Sequence, residues 1–86
     1  MAETFLLEVA TPERLWVRAQ VREAQIPCRN GYIGVLPGHA ALLSELASGR
    51  LTYTSEDGNH ALEISGGWVE VLDDHVRVLA DEAREA

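Results

Sequence analysis

The chain has 86 residues, a length that predicts one domain rather than two. Fourteen acidic side chains stand against seven arginines, lysine is absent, and the net charge is −7. This balance excludes functions that need a basic surface, namely nucleic-acid binding and adhesion to anionic lipid. A single cysteine, Cys28, excludes an internal disulfide and a thiolate metal cluster.

Nothing in the sequence predicts export or a membrane span. No apolar run approaches the ~20 residues that a transmembrane helix needs. The N-terminal stretch Met1-Ala2-Glu3-Thr4 is acidic and lacks the pattern of a signal peptide. We therefore expect a cytoplasmic protein, which can still sit beside a membrane by binding a partner that spans it.

Short stretches rich in β-forming residues follow one another along the chain. Strands are predicted at 5–9, 15–17, 21–26, 32–35, 50–54, 62–64, 68–71 and 76–78, and 41–46 is a strand or an irregular segment. Eight to ten short strands separated by turn signals are typical of an all-β sandwich or barrel.

Dipeptides with turn chemistry separate these strands. Asn30-Gly31 and Asp57-Gly58 predict two-residue hairpins, a turn type with positive φ at both central positions. Pro37-Gly38 fits the centre of a type II turn. Ser65-Gly66-Gly67 predicts a bend or bulge within a strand, and Asp73-Asp74 predicts a further turn.

The stretch 30–43 concentrates this turn chemistry and predicts a stiff surface loop. Tyr32 follows the first turn directly and is expected to be exposed. His39 follows the second bend. A preshaped loop favours binding, because ordering a flexible loop costs affinity.

Residue types that can carry catalysis are present, but they are not arranged in a catalytic motif. His39, His60 and His75 are far apart and show no zinc-ligand spacing. Ser65-Gly66-Gly67 lacks the first glycine of a nucleophile elbow. The series Gly31-x-x-Gly34-x-x-x-Gly38 lacks the lysine and the helix of a phosphate-binding loop. We therefore predict no catalytic residue, no metal and no cofactor.

The residues alone favour a binding or scaffold module over an enzyme. Trp16, Trp68 and Tyr32 belong to residue types that are enriched at interfaces. One alternative is a small sandwich that binds a carbohydrate or another small ligand through these three aromatic residues. Another is an enzyme that uses His39 with an acidic partner.

Four segments of the chain match one family in the same order and spacing. They are Leu7–Glu13, Gly34–Leu43, Ser65–Val71 and Val76–Ala83. The second resembles the Gly-Ile-Leu-Pro-Gly-His-Ala-Pro-Leu loop of the ATP synthase epsilon subunit family. The third segment resembles the Ser-Gly-Gly-Phe-Val-Glu-Val strand pair of that family. The fourth segment resembles the Val-Thr-Val-Leu-Ala-Asp-Thr-Ala sequence at the end of its last strand. The first segment resembles its opening strand and turn.

The resemblance implies a ten-stranded β-sandwich of two five-stranded sheets, with at most a short C-terminal helical stub. It also implies a non-catalytic subunit in the central stalk of a rotary F-type ATP synthase. Such a subunit couples gamma to the c ring during ATP synthesis and proton or sodium transport, and meets the alpha/beta hexamer only indirectly. The implied location is peripheral, on the cytoplasmic face of a bacterial inner membrane, without lipid insertion.

The resemblance also implies two sets of contact residues. The hairpin tip at Asn30, Gly31 and Tyr32 is expected to meet the c ring. The segment with His39, Ala40 and Leu43 is expected to pack on gamma. The family often has Glu at the position of Tyr32, so a stacking or packing contact replaces a charged one here.

The last residues, 81–86, are strong helix formers but too few for a stable isolated helix. We expect a sandwich domain over 1–80 and, over 81–86, a tail or the beginning of a helix. Family members commonly continue into two C-terminal helices, so the chain is either naturally short or shortened. The sequence Asp81-Glu82-Ala83-Arg84 resembles the family's nucleotide-binding motif but aligns with the end of the last strand. It therefore predicts no nucleotide site.

Overall fold

All regular structure in the described part of the chain is β-strand. The computed structural model describes residues 3–86. Met1 and Ala2 lie outside the described residues. They belong to the N-terminal stretch that lacks a signal-peptide pattern. The strands are β1 (Phe5–Ala10), β2 (Leu15–Cys28), β3 (Gly31–Val35), β4 (Leu42–Glu45), β5 (Gly49–Ser55), β6 (Gly58–Leu72) and β7 (His75–Glu85).

Backbone hydrogen bonds join five of these strands into a closed ring. The pairs run β1–β7, β7–β6, β6–β5 and β5–β2, and β2 returns to β1. The β1–β7 pair is parallel, whereas the other pairs are antiparallel. Outside the ring, β3 pairs with β2 and β4 pairs with β6.

The three longest strands, β2, β6 and β7, bend and contribute a segment to each of two layers. The first layer contains β4, 67–72, 75–80, β1 and 15–21. The second layer contains β3, 23–28, β5, 58–65 and 82–85. Counted by segment, the predicted ten-stranded sandwich of two five-stranded sheets is confirmed, although seven continuous strands build it.

The bends have separate local causes. In β2 the pairing register shifts between Val21 and Glu23, as a bulge does. In β6 the predicted bend is present at Gly66 and Gly67, whose φ angles are +70° and +107°. A Cβ at Gly67 would lie 2.0 Å from the carbonyl oxygen of Leu79, so no side chain fits between β6 and β7 at this position.

The core lies between the layers and consists of alternate residues of the strands. Burying one such Leu, Ile, Val or Phe side chain stabilises the fold by about 1.5–3 kcal/mol. Among residues 3–86 no polar or charged side chain is buried. The largest fully buried side chains are Phe5, Leu7, Val9, Val21, Ile26, Pro27, Val35, Leu51, Val69, Val71, Val76 and Val78.

The hairpins use different turns from those predicted. At Asn30-Gly31 the loop is 29–30, and only Gly31, which begins β3, has positive φ (+120°). Asp57-Gly58 repeats this arrangement, with +120° at Gly58. These loops resemble a type I turn followed by a glycine. The turn with two positive φ angles is instead Asp73-Asp74, at 51° and 60°.

Residues 81–85 are the end of β7, whereas the sequence predicted a tail or the beginning of a helix. Glu82 pairs with Ser65, and Arg84 pairs with Glu63 on β6. Residues 82–85 pair with β6, which offers them a ladder of backbone partners. Long-range pairing therefore overrides the local helix propensity, and the sandwich continues past residue 80.

Gly67→Ala is expected to lower the free energy of unfolding by about 3 kcal/mol, because the new methyl group overlaps the β7 backbone. Gly58→Ala is the matched control, since nothing lies within 4 Å of its Cβ position although its φ is also positive. It should cost about 1 kcal/mol. Urea denaturation measures both losses, and equal losses would contradict the contact at Gly67.

Candidate partner-binding surfaces

The three residues predicted at the hairpin tip lie together at one end of the second layer. Asn30 is exposed in the turn, Gly31 begins β3, and Tyr32 is 57% exposed, as expected. Arg29 in the same turn forms a 2.6 Å ion pair with Glu45, and its backbone N–H donates to the Glu45 carbonyl at 3.0 Å. The hydrogen bond to Glu45 raises the pKa of Arg29. These contacts hold the tip against β4.

The side chain of Tyr32 reaches across the neighbouring strand to β5. Its hydroxyl accepts a hydrogen bond from the backbone N–H of Arg50 at 3.0 Å. A Cβ at Gly49 would lie 2.7 Å from this hydroxyl and 2.9 Å from the Cβ of Pro27, so the glycine makes room for Tyr32. The hydroxyl is therefore engaged within the fold, and the exposed ring is the part available to a partner.

The second predicted site is the loop between β3 and β4, which backbone hydrogen bonds hold in shape. Pro37-Gly38 forms the predicted type II turn, with φ +83° at Gly38 and a 3.1 Å bond from the His39 N–H to the Leu36 carbonyl. The Gly38 N–H donates to Oδ1 of Asp74 at 2.6 Å. Nδ1 of His39 lies 2.7 Å from the Ala40 carbonyl oxygen.

The residues predicted in this segment differ in exposure. His39 is half-buried, Ala40 is exposed, and Leu43 is 67% exposed. Leu43 lies on β4, at the edge of the first layer. It lines a shallow groove together with Leu72 of β6, so the predicted segment continues into an apolar part of the sheet.

Most of the exposed large apolar side chains lie on the outer face of the first layer. Trp68 is 51% exposed and pairs in register with Leu79, which is 54% exposed. Ala10 and the exposed Leu15 extend this row across β1 and β2. Leu72 is exposed nearer the opposite margin of the same face. We call this surface the first-layer face.

Sequence reasoning singled out Trp68 but missed Leu15, Leu72 and Leu79. The alternation of the strands contains a signal for them. Leu79 lies between the buried residues Val78 and Ala80, and therefore points outward. A large apolar residue at an outward strand position is informative when several share one face.

A charged row crosses the middle of the first-layer face. Glu70, Arg77, Glu8 and Arg18 lie in register on four neighbouring strands. The carboxylate of Glu8 accepts from Arg18 at 2.5 Å and lies 2.6 Å from Nε2 of His75. The hydrogen bonds from His75 and Arg18 lower the pKa of Glu8. The face therefore combines two apolar margins with a fixed pattern of charge.

The outer face of the second layer is polar by comparison. Arg50 and Glu63 form a 2.9 Å ion pair between β5 and β6. Arg84 continues this row on β7, and Gln25 pairs in register with Thr52 in the next row. The two outer faces are thus chemically different, and the first-layer face is better suited to apolar docking.

The three aromatic residues of the carbohydrate alternative do not form one platform. Trp68 lies on the first-layer face, whereas Tyr32 lies on the second layer. The guanidinium of Arg14 covers the Trp16 ring at 3.9 Å from its centroid, and the indole N–H donates to Thr11 at 3.1 Å. This geometry does not favour a shared sugar-binding surface.

The structure does not assemble the groups of the enzymatic alternative within residues 3–86. No carboxylate lies within hydrogen-bonding distance of the His39 ring in that range, and His60 and His75 bond to Asp57 and Glu8. The described residues also contain no group of three potential metal ligands. None of the described residues form a helix with the length and apolarity to cross a membrane.

Comparison with known sequences identifies relatives over nearly the whole chain. The family model of the "ATP synthase, Delta/Epsilon chain, beta-sandwich domain" matches residues 4–86. The chain is 56% identical over 86 residues to the ATP synthase epsilon chain of Solibacter usitatus, and 45% identical over 83 residues to that of Koribacter versatilis. The alignments cover 100% and 96% of this chain but only 64% and 58% of the relatives. The resemblance carried by the four segments is confirmed.

Solved structures have the same fold. A chain of the Euglena gracilis mitochondrial ATP synthase, in a structure that includes the c-ring, superposes with a TM-score of 0.90 at 27% identity. That match covers 99% of this chain and 55% of the other. A chain from the central stalk and c-ring of the Tetrahymena thermophila enzyme gives 0.75 at 16% identity, covering 93% and 65%, which shows the fold alone.

Tyr32→Phe is expected to lower the free energy of unfolding by about 1 kcal/mol, because the Arg50 N–H loses its acceptor. Gly49→Ala is expected to destabilise through overlap with the Tyr32 hydroxyl. The double variant should cost less than the sum of the two, since removing the hydroxyl relieves the overlap with Tyr32 and leaves only that with Pro27. Urea denaturation of all four proteins measures this coupling, and additive costs would refute the contact.

Glu8→Gln is expected to flatten the loss of stability in acid. Because the pKa of Glu8 is lowered in the fold, its carboxylate stabilises the protein above about pH 4.5, and this contribution disappears as the pH falls through the folded value. Unfolding free energies at a series of pH values measure the effect. Glu70→Gln, an exposed carboxylate in the same row, is the control. If the parent and Glu8→Gln lose stability in parallel, the prediction is wrong.

Proposed function

Because the chain belongs to the family of ATP synthase delta/epsilon β-sandwich domains, we propose that it is a subunit of the central stalk of a rotary F-type ATP synthase. In this role it performs no bond chemistry and needs no cofactor. It couples the gamma subunit to the c ring, turns with both, and serves ATP synthesis together with proton or sodium transport. It meets the alpha/beta hexamer only indirectly.

The observation that carries this proposal is the difference between the two outer faces. Exposed leucines and Trp68 concentrate on the first-layer face, while the second layer presents ion pairs and polar side chains. Large exposed apolar side chains that share one face of a protein mark a protein-binding site, and here they lie on both sides of the charged row. A subunit held on the side of a stalk needs one such docking face.

Gamma is the proposed partner of the first-layer face. The contact includes His39, Ala40 and Leu43 and continues to Leu72 and Trp68. Large apolar and aromatic side chains commonly dominate the free energy of binding at such interfaces. The charged row through Glu8 fixes the orientation of the partner, because a misplaced charge opposite it is costly.

The c ring is the proposed partner of the hairpin tip at Asn30, Gly31 and Tyr32. Tyr32 presents its ring to this partner, since its hydroxyl is bound to Arg50. The contact is therefore one of stacking or packing. The ion pair between Arg29 and Glu45 stiffens the tip, and a stiff tip transmits torque without a large ordering cost.

We place the subunit on the cytoplasmic face of a bacterial inner membrane, where it is peripheral. Its association with the membrane runs through the c ring rather than through lipid. A net charge of −7 is repelled by anionic headgroups and weighs against lipid insertion. The same charge weighs against binding nucleic acid.

Purified gamma tests the proposal directly by calorimetric titration. The parent chain should bind gamma, and Trp68→Ala and Leu43→Ala should each weaken binding by about tenfold or more, as truncation of an interface anchor does. Gln25→Ala, an exposed change on the second layer, should leave the affinity unchanged. The proposal fails if the parent does not bind gamma at micromolar concentration, or if all three variants bind gamma with the affinity of the parent.

A further inference from the structure

The turn between β6 and β7 adopts a backbone conformation that is costly for its residues. Asp73 and Asp74 have φ angles of 51° and 60°. Aside from glycine, mainly asparagine and aspartate occupy this region. Glycine fits both positions more easily, so a glycine variant removes either side chain without adding backbone strain.

Asp74 makes two contacts that Asp73 does not make within residues 3–86. Its backbone carbonyl accepts from the N–H of Leu6 at 2.9 Å, which anchors the turn to β1. Its side-chain Oδ1 accepts from the N–H of Gly38 at 2.6 Å. Asp74 is half-buried, whereas Asp73 is exposed.

The second contact joins the loop at 36–39 to the sheet. The bond from His39 to Leu36 fixes the shape of that turn but not its place on the molecule, because both residues belong to the turn. The Asp74–Gly38 bond spans 36 positions of sequence. Among the described residues, it is the side-chain hydrogen bond that ties this turn to another element.

We propose that Asp74 is a positioning residue for partner binding, which holds the Pro37-Gly38 turn so that His39 and Ala40 meet gamma in a fixed place. This inference rests on the proposed function, since it assigns that segment to the gamma interface. Without the bond the turn keeps its shape but moves relative to the first-layer face. Binding then includes the entropy cost of placing it.

Two glycine variants separate this role from a purely structural one. Asp74→Gly and Asp73→Gly both relieve the positive φ, so neither should lower the melting temperature by more than about 4 °C. Asp74→Gly removes the acceptor of Gly38 and should weaken gamma binding about tenfold. Asp73→Gly should bind within about twofold of the parent. Asp74→Asn keeps an acceptor oxygen and should retain most of the affinity.

Amide hydrogen exchange at Gly38 reports the bond without gamma. We expect faster exchange in Asp74→Gly and parent-like exchange in Asp73→Gly. Unchanged exchange in Asp74→Gly overturns the inference, and so does faster exchange with parent-like gamma affinity. If the parent itself does not bind gamma, the proposed function fails and the docking role with it. The exchange rates then still decide whether Asp74 holds the turn.

Discussion

The fold depends on the close approach of the β6 and β7 backbones at Gly67. The carbonyl group of Leu79 occupies the space that a side chain would fill, so the two backbones pass in contact. Both strands change layer near this point, and Trp68 pairs with Leu79 immediately beyond it. The carbonyl of Gly67 also accepts from the N–H of Leu46, which holds the β4–β5 connection at the same place. This close approach thus helps to place the apolar row of the first-layer face.

Much of the fold was accessible from the sequence because alternation and turn chemistry are local signals. The predicted bend at Ser65-Gly66-Gly67 and the type II turn at Pro37-Gly38 are both present. The separate strands expected at 15–17 and 21–26 are one strand, which continues to Cys28. The predicted gap at 18–20 contains no strong β-former, but these three residues pair with Leu6, Leu7 and Glu8 of β1.

Features that depend on residues far apart in the sequence could not be predicted from the sequence. The helix formers at 81–85 extend along β6, which local propensity does not include. The contacts of Tyr32 with Arg50 and of Asp74 with Gly38 join separate turns and strands. No spacing pattern in the sequence predicts these two hydrogen bonds. The contact residues at the tip and in the segment with His39 stay predictions, while the family and the sandwich are established.

The parallel β1–β7 pair has a consequence for biosynthesis. Leu6 pairs with His75 and Ala10 with Leu79, so β1 gains its second neighbour only when nearly all of the sandwich domain is available. On the ribosome, the emerging N-terminal hairpin carries one unpaired edge until β7 has been translated. Such non-local closure gives a high contact order and folding in milliseconds to seconds rather than microseconds. The domain therefore acquires its native form as a unit, after translation of its last strand.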